Sequence, residues 1–383
     1  MNKSVNAKSR YSRGESTQDE MNMASQLASQ AASVPVMNVV RAEKTFVEDS
    51  QDSLRPEILD EFLGQRVVKD NLSIFIHAAK ERGDALDHVF LIGPPGLGKT
   101  TLARIVANEL DADFKVTSAP ALEKPSDLAG ILSVVSPRTV FFIDEIHRLK
   151  PAIEEMLYVA MEDFELDWVI GQGAAARTVR IPLPKFTLVG ATTKAGMVST
   201  PLISRFGIIQ RFGFYDSEAL SAIIRRSARI LNVRVEEDAA LLMADCSRGT
   251  PRVANRILRR MRDFAQMEGD GTVTRQIVSQ GLSRLGIDSL GLESYDREIL
   301  LSVIEKFSGG PVGAETLAIS VGESADTLED YYEPYLIQLG LLQRTPRGRV
   351  ATQKAYEHLG LPFPQKTQGD LAQNTDETFL DFS

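Results

Sequence analysis

Gly93-Pro94-Pro95-Gly96-Leu97-Gly98-Lys99-Thr100 decides the fold. It follows the short apolar run His88-Val-Phe-Leu-Ile-Gly93 and precedes Thr101 to Leu110, where the apolar residues carry helical spacing. Strand, glycine-rich turn and helix in that order give G-x-x-x-x-G-K-[ST] the context in which it binds phosphate. The glycines let backbone N–H groups close around phosphate oxygens, and the positive end of the following helix adds to the attraction. Lys99 offers a point charge to the β- and γ-phosphates, and the Thr100 hydroxyl can ligate Mg²⁺. The competing reading is a plain Gly/Pro turn. Four fixed positions would match by accident in roughly one chain in a hundred of this length.

Further on lies Phe141-Phe142-Ile143-Asp144-Glu145-Ile146-His147, an apolar run ending in two acids. Alone this is a common strand end. Paired with the phosphate loop, it assigns Asp144 to the magnesium shell and Glu145 to orienting and deprotonating the attacking water. No Asn-Lys-x-Asp base-reading motif is present, which favours ATP over GTP as the nucleotide. Phe186-Thr-Leu-Val-Gly190 is a third apolar run of strand length. Strands alternating with helices predict an α/β fold class with a parallel sheet covered on both faces.

Working outward, the pattern turns wholly helical from Ser217, with Leu220, Ile223, Ile224, Ala228 and Leu231 on one face and three further helical stretches to about Leu285. A Gly/Ser-bearing break near Ile287–Glu293 precedes a third unit of three helices and a β-hairpin, the pattern of a winged helix. The expected division is an ATPase domain over 54–214, a small helical lid over 215–286 and a C-terminal winged-helix head over 287–362. Residues 1–53 are rich in Ser, Gln, Asn and Ala, with little apolar periodicity, and predict a disordered extension. They lack the apolar core of a secretory signal, and Asp19 and Glu20 argue against a transit peptide. The polar, acidic segment 363–383 reads as a second disordered tail.

The 383 residues carry 43 Lys plus Arg against 52 Asp plus Glu, a formal charge of −9 that argues weakly against nonspecific coating of nucleic acid. A single cysteine, Cys246, excludes an intramolecular disulfide and fits a reducing, cytoplasmic compartment. Four scattered histidines and one cysteine offer no zinc-ligand spacing. No apolar run approaches the ~18 residues of a membrane span.

Three more segments bear on family. They are Gly190-Ala-Thr-Thr193, Pro201-Leu-Ile-Ser-Arg-Phe-Gly207 and Gly249-Thr-Pro-Arg-Val-Ala-Asn255. In this order they resemble the sensor 1, arginine finger and sensor 2 of AAA+ ATPases. With Leu54-Arg55-Pro56 upstream and Gln343-Arg-Thr-Pro-Arg-Gly-Arg349 downstream, the chain from Leu54 to Pro362 resembles the RuvB family of bacterial Holliday-junction branch-migration ATPases. The resemblance implies a homo-hexameric ring with ATP sites between subunits. Arg205 is then the finger that enters the neighbour's site, Thr193 is sensor 1 and Arg252 is sensor 2. Many AAA+ proteins have Asn where Thr193 stands, a departure from the superfamily that agrees with this family. The nucleotide set implied is Leu54, Arg55, Gly96, Gly98, Lys99, Thr100, Thr101, Glu162, Asp163, Phe164, Arg205, Tyr215 and Arg252, with Thr100 and Asp144 on Mg²⁺. Core packing is the competing reading for Leu54 and Tyr215. For Arg252 it is a solvated face, because Arg256, Arg259, Arg260 and Arg262 follow on one helix.

Two arms around a Gly-rich turn, from Leu166 to Ile181, predict a protruding hairpin. In the family that hairpin docks on RuvA, the tetramer that binds the four-way junction; packing on its own domain is the alternative. The family also admits the RuvC resolvase as a partner. In the third unit the helix Thr327–Glu333, placed where a helix-turn-helix reader enters the major groove, carries three acids that would face phosphates. Base reading is therefore not expected. Arg344 and Arg349 on the hairpin are the candidates for sequence-blind phosphate contacts on duplex DNA, unless they pair with Glu329 or Glu333. Together these features imply a motor that moves a four-way junction. A clamp-loader-like switch and a protein unfoldase are the rivals; the latter calls for an aromatic pore loop that the sequence does not offer.

Overall fold

The computed structural model describes residues 53–170 and 177–364. The expected extension and tail lie almost wholly outside these residues, as does the hairpin tip at 171–176. The first unit runs α1 (Arg66–Arg82), β1 (Val89–Ile92), α2 (Lys99–Glu109), β2 (Phe114–Ser118), α3 (Pro125–Leu132), β3 (Val140–Asp144), α4 (Pro151–Glu162), β4 (Glu165–Ile170), β5 (Arg177–Pro182), β6 (Thr187–Thr192), α5 (Thr200–Ile203) and β7 (Ile208–Arg211). Five strands pair in parallel in the order β2-β3-β6-β1-β7. β1 is buried along its whole length because helices cover both faces of the sheet. Val89 and Leu91 enter one apolar cluster, and Phe90 and Ile92 enter the other. Burying one such side chain contributes about 1.5–3 kcal/mol. The parallel order puts the ends of β1, β3 and β6 side by side on one edge, which is where the candidate site forms.

Asp216 caps the first lid helix, its carboxylate accepting the Ala219 N–H at 2.7 Å. That helix is α6 (Ser217–Ile230), followed by β8 (Arg234–Val235), α7 (Glu237–Asp245), α8 (Pro251–Glu268), β9 (Thr272–Val273) and α9 (Arg275–Arg284). Leu220, Ile224 and Ala228 face inward, and this core is continuous with the one under α1 and α2. The head has its own core. It comprises α10 (Ser294–Leu301), α11 (Ala314–Val321), a continuous helical stretch of α12 (Ala325–Thr327), a wider turn over Leu328–Tyr332 and α13 (Glu333–Gln338), then the antiparallel β10 (Leu342–Thr345) and β11 (Gly348–Ala351) and α14 (Gln353–Leu359).

Candidate active site

The phosphate loop leaves β1 at Gly93, whose N–H donates to Thr192 O at 3.1 Å. Gly96 (φ +80°) and Gly98 (φ +100°) adopt the left-handed backbone that favours glycine. A Cβ would also meet Arg252 Cβ at 3.1 Å from Gly96 and the Phe62 ring at 3.1 Å from Gly98. Lys99 opens α2 and is buried, its Nζ donating to Gly93 O at 2.7 Å and to Pro94 O at 2.9 Å. Thr100 and Thr101 follow in the first turn.

Asp144 ends β3 beside the loop. Burial pushes its carboxyl above the usual range, against the Glu145 N–H that it accepts and the Lys99 charge, while the Glu145 carboxylate adds a smaller upward push. Burial likewise lowers the Lys99 ammonium, against the pull of Asp144 and Glu145. An arriving polyanion with a divalent cation would supply each group with the opposite charge it lacks. The hydroxyl of Thr100 and the carboxylate of Asp144 are hard oxygen donors, the set suited to Mg²⁺ carried on a nucleotide's phosphates.

Glu145 has a left-handed backbone (φ +49°), and its N–H donates to Asp144 Oδ1 at 3.0 Å. Its Oε2 accepts the Thr193 hydroxyl at 3.2 Å and lies 3.2 Å from His147 Nδ1. The His147 ring also meets Thr192 Oγ1 at 2.9 Å. The structure thus brings Lys99, Thr100, Asp144, Glu145 and Thr193 to one edge. His147 and Thr192 belong to the same cluster and were missed by sequence reasoning, although His147 stands in the acidic strand-end motif itself.

From the lid, the Arg252 N–H points at Gly96 O at 3.4 Å, so the start of α8 rests on the loop. The arginines behind it divide: Arg256 pairs with Glu293, and Arg260 and Arg262 pair with Asp263. Tyr215 is buried and its hydroxyl donates to Leu97 O at 3.1 Å, which fixes the ring beneath the loop. Leu54 is also buried, and its carbonyl accepts Arg226 Nη1 from α6 at 2.9 Å.

Arg205 is elsewhere. It stands just before β7, whose first N–H, at Ile208, donates to His88 O at the start of β1. The phosphate loop leaves the other end of β1, roughly 13 Å along a four-residue strand. Arg205 is held by Glu162 Oε2 at 2.9 Å and Pro201 O at 2.7 Å, with its guanidinium 4.5 Å from the Tyr158 ring centre. Phe164 packs on His88 and Phe186, at that same far edge. Glu162, Asp163 and Phe164, expected near nucleotide, therefore stand away from the chain's own loop. The parallel strands set them at the opposite edge, with Arg205.

A second correction concerns the wing. Arg349 is buried, its Nε donating to Glu333 Oε1 at 2.6 Å and its Nη2 to Glu329. Glu333 is only 1% exposed, so the pair is internal and Arg349 has no face for a phosphate. Arg344 lies directly opposite on β10. It touches Glu329 at 3.1 Å but keeps 57% of its side chain exposed. Asp330, the third acid, pairs with Lys194 at 2.8 Å, next to Thr193. The acids of this helix thus hold Arg349 and Lys194.

Comparison with known proteins follows the same three units. Residues 54–212 match the model of the Holliday junction DNA helicase RuvB P-loop domain, 215–288 the RuvB AAA lid domain and 289–360 the RuvB C-terminal winged helix domain. A Holliday junction branch migration complex subunit RuvB of Treponema denticola is 69% identical over 331 residues, covering 86% of this chain and 96% of the relative. The namesake protein of Borrelia garinii is 59% identical over 344 residues, covering 90% and 98%. A solved structure, the Thermotoga maritima RuvB Holliday junction branch migration motor, superposes with a TM-score of 0.75 at 50% identity, covering 82% of this chain and all of that one.

Proposed function

The chain belongs to the RuvB family, and on that premise we propose that it is an ATP-driven motor that pulls duplex DNA through a homo-hexameric ring and so moves Holliday junctions in recombination and repair. The observation that carries this reading is the separation of Arg205 from its own phosphate loop. A finger held on the far edge completes a site only when a second copy supplies the loop. Glu162, Asp163 and Phe164 lie beside Arg205 and belong with it on that neighbour's nucleotide. A guanidinium arriving in trans neutralises charge on the transferring phosphoryl group and raises the rate by roughly 10³–10⁵.

Within the site, Lys99 and the loop N–H groups bind the β- and γ-phosphates, and Arg252 reaches the γ-phosphate from the lid. Leu54, Arg55 and Tyr215 border the base. Thr100 and Asp144 would hold Mg²⁺, which when bound withdraws charge from the phosphate oxygens. Glu145 takes the proton of the attacking water, and Thr193 orients that carboxylate. The hairpin of β4 and β5 is the dock for a RuvA-type junction-binding tetramer, with a RuvC-type resolvase as a further partner. The working compartment is the cytoplasm. No described helix is long and apolar enough to cross a membrane.

The test is dissociation of a synthetic four-way junction with ATP, with and without RuvA. Sustained, ATP-dependent strand movement is expected. ATP-dependent loading on DNA with no movement would favour a clamp-loader-like switch instead, and ATPase indifferent to DNA would favour a protein remodeller. For action in trans, Arg205→Ala and Lys99→Ala are each inactive, and mixing them under subunit exchange restores a fraction of the ATPase. No recovery at any ratio despite co-assembly refutes it.

A further inference from the structure

His147 lies outside the nucleotide-binding and water-activating set described above, yet its imidazole is set between two strand ends. β3 and β6 are neighbours, with Ile143 beside Gly190, so the residues just past their ends meet. The left-handed turn at Glu145 brings the chain back, and the His147 side chain is only 6% exposed. Nδ1 lies 2.9 Å from Thr192 Oγ1 and 3.2 Å from Glu145 Oε2. Thr192 is fully buried, and its hydroxyl oxygen accepts the Lys194 N–H at 3.0 Å, which fixes where that oxygen sits.

The proton on the ring follows from these neighbours. A bare Nδ1 lone pair facing an ionised carboxylate would be repulsive. With the proton on Nδ1, the ring donates to Thr192 Oγ1 and turns the positive end of the same N–H dipole toward Glu145 Oε2, 3.2 Å away. Burial holds the imidazole below its usual pKa, although Glu145 pulls the other way. Oε2 then accepts the Thr193 hydroxyl and sits against the positive edge of the His147 ring, two contacts from different residues. Together they restrain the carboxylate and leave Oε1 to receive the proton of water.

We propose that His147 is a positioning residue for ATP hydrolysis, holding the Glu145 carboxylate through Nδ1 while Thr192 anchors the ring. This rests on the reading of Glu145 as the water-activating group. The residue touches neither phosphate nor metal, so ATP binding does not depend on it.

The experiment measures kcat and KM for ATP hydrolysis by the full chain with DNA, together with ATP affinity. His147→Ala is expected to lower kcat by about 10–100-fold, the scale of a misplacement near 1 Å, with ATP affinity kept within about twofold. The amide nitrogen of asparagine stands as many bonds from Cβ as Nδ1 does, whereas that of glutamine is one bond further. His147→Asn therefore recovers most of the loss and His147→Gln does not. Thr192→Val releases the ring and shows a smaller loss, and combining it with His147→Ala adds nothing to His147→Ala alone. A kcat within twofold of wild type in His147→Ala, an asparagine variant no better than the alanine one, or losses that multiply in the double variant would each overturn the proposal. In all three cases a dead Glu145→Gln keeps the wider reading intact. An active Glu145→Gln overturns both.

Discussion

A left-handed backbone is uncommon for a residue with a long side chain, and Glu145 adopts one directly after the strand that delivers Asp144. The turn separates two adjacent carboxylates, so that Asp144 feels the Lys99 charge while Glu145 accepts the Thr193 hydroxyl and meets His147. The two acids should therefore fail differently from the lysine. Lys99→Ala removes a buried charge and two hydrogen bonds that close the loop. Charge-assisted bonds of about 1.5–3 kcal/mol translate into ATP binding weaker by roughly 10–100-fold, readable by nucleotide titration. Glu145→Gln keeps the loop and loses only the base, so kcat falls by about 10²–10⁴ while affinity holds. Near-normal turnover in that variant would remove Glu145 from the chemistry. Lys99, Asp144 and Glu145 were legible because each lies within one contiguous motif. The Thr192–His147 contact was not, because it joins residues 45 apart through strand pairing.

At the scale of elements, the apolar runs that became β1, β3 and β6 were legible because both faces of those strands are buried. β2 and β7 escaped notice. They are the edge strands, and the exposed residues of β2 and the alternating burial of β7 interrupt any apolar run. The winged-helix order was readable from helices followed by a hairpin. The direction of its arginines was not, because spacing along β10 and β11 does not tell which side chain meets the acid helix. The structure separates the two, and a pair of variants tests the separation. Arg349→Ala strands the buried Glu333 carboxylate and should cost about 3–5 kcal/mol of head stability, seen as a lower unfolding midpoint. Arg344→Ala should stay within about 0.5 kcal/mol of wild type, as a surface change does. It should instead lower the slope of log K against log salt by roughly 0.9 per phosphate contact, equally on two unrelated duplexes. A salt slope changed by Arg349→Ala in a folded protein would restore Arg349 as a DNA contact.

Across the whole molecule, the ATPase domain and lid share one core whereas the head has its own, so polar contacts carry much of the joint. Its centre is Arg248, just before α8, whose guanidinium donates to Asp296 at 2.9 and 3.2 Å and lies 4.8 Å from the Tyr335 ring centre. Both charged side chains are buried, at 6% and 0% exposure. Burial nevertheless holds the Asp296 carboxyl above its ordinary value, against the attraction of Arg248 and the Glu293 N–H. Removing Arg248 takes away the main opposing influence and raises it further. A carboxyl raised on folding binds more protons folded than unfolded, so stability falls as pH climbs from the ordinary carboxylate value to the raised one. Arg248→Ala should therefore cost about 3–5 kcal/mol at neutral pH, where the unpaired carboxylate is hardest to bury. The cost should shrink as pH drops toward the ordinary carboxylate value, because the folded Asp296 carboxyl takes up a proton first and no longer carries a charge to bury. Asp296→Asn in the same background should recover part of the neutral-pH loss, because an amide carries no charge to bury. Urea unfolding of the single and double variants at both pH values measures all of this. A penalty that stayed flat or grew on acidification would show that Arg248 stabilises the joint by packing on Tyr335, with its charge on Asp296 secondary.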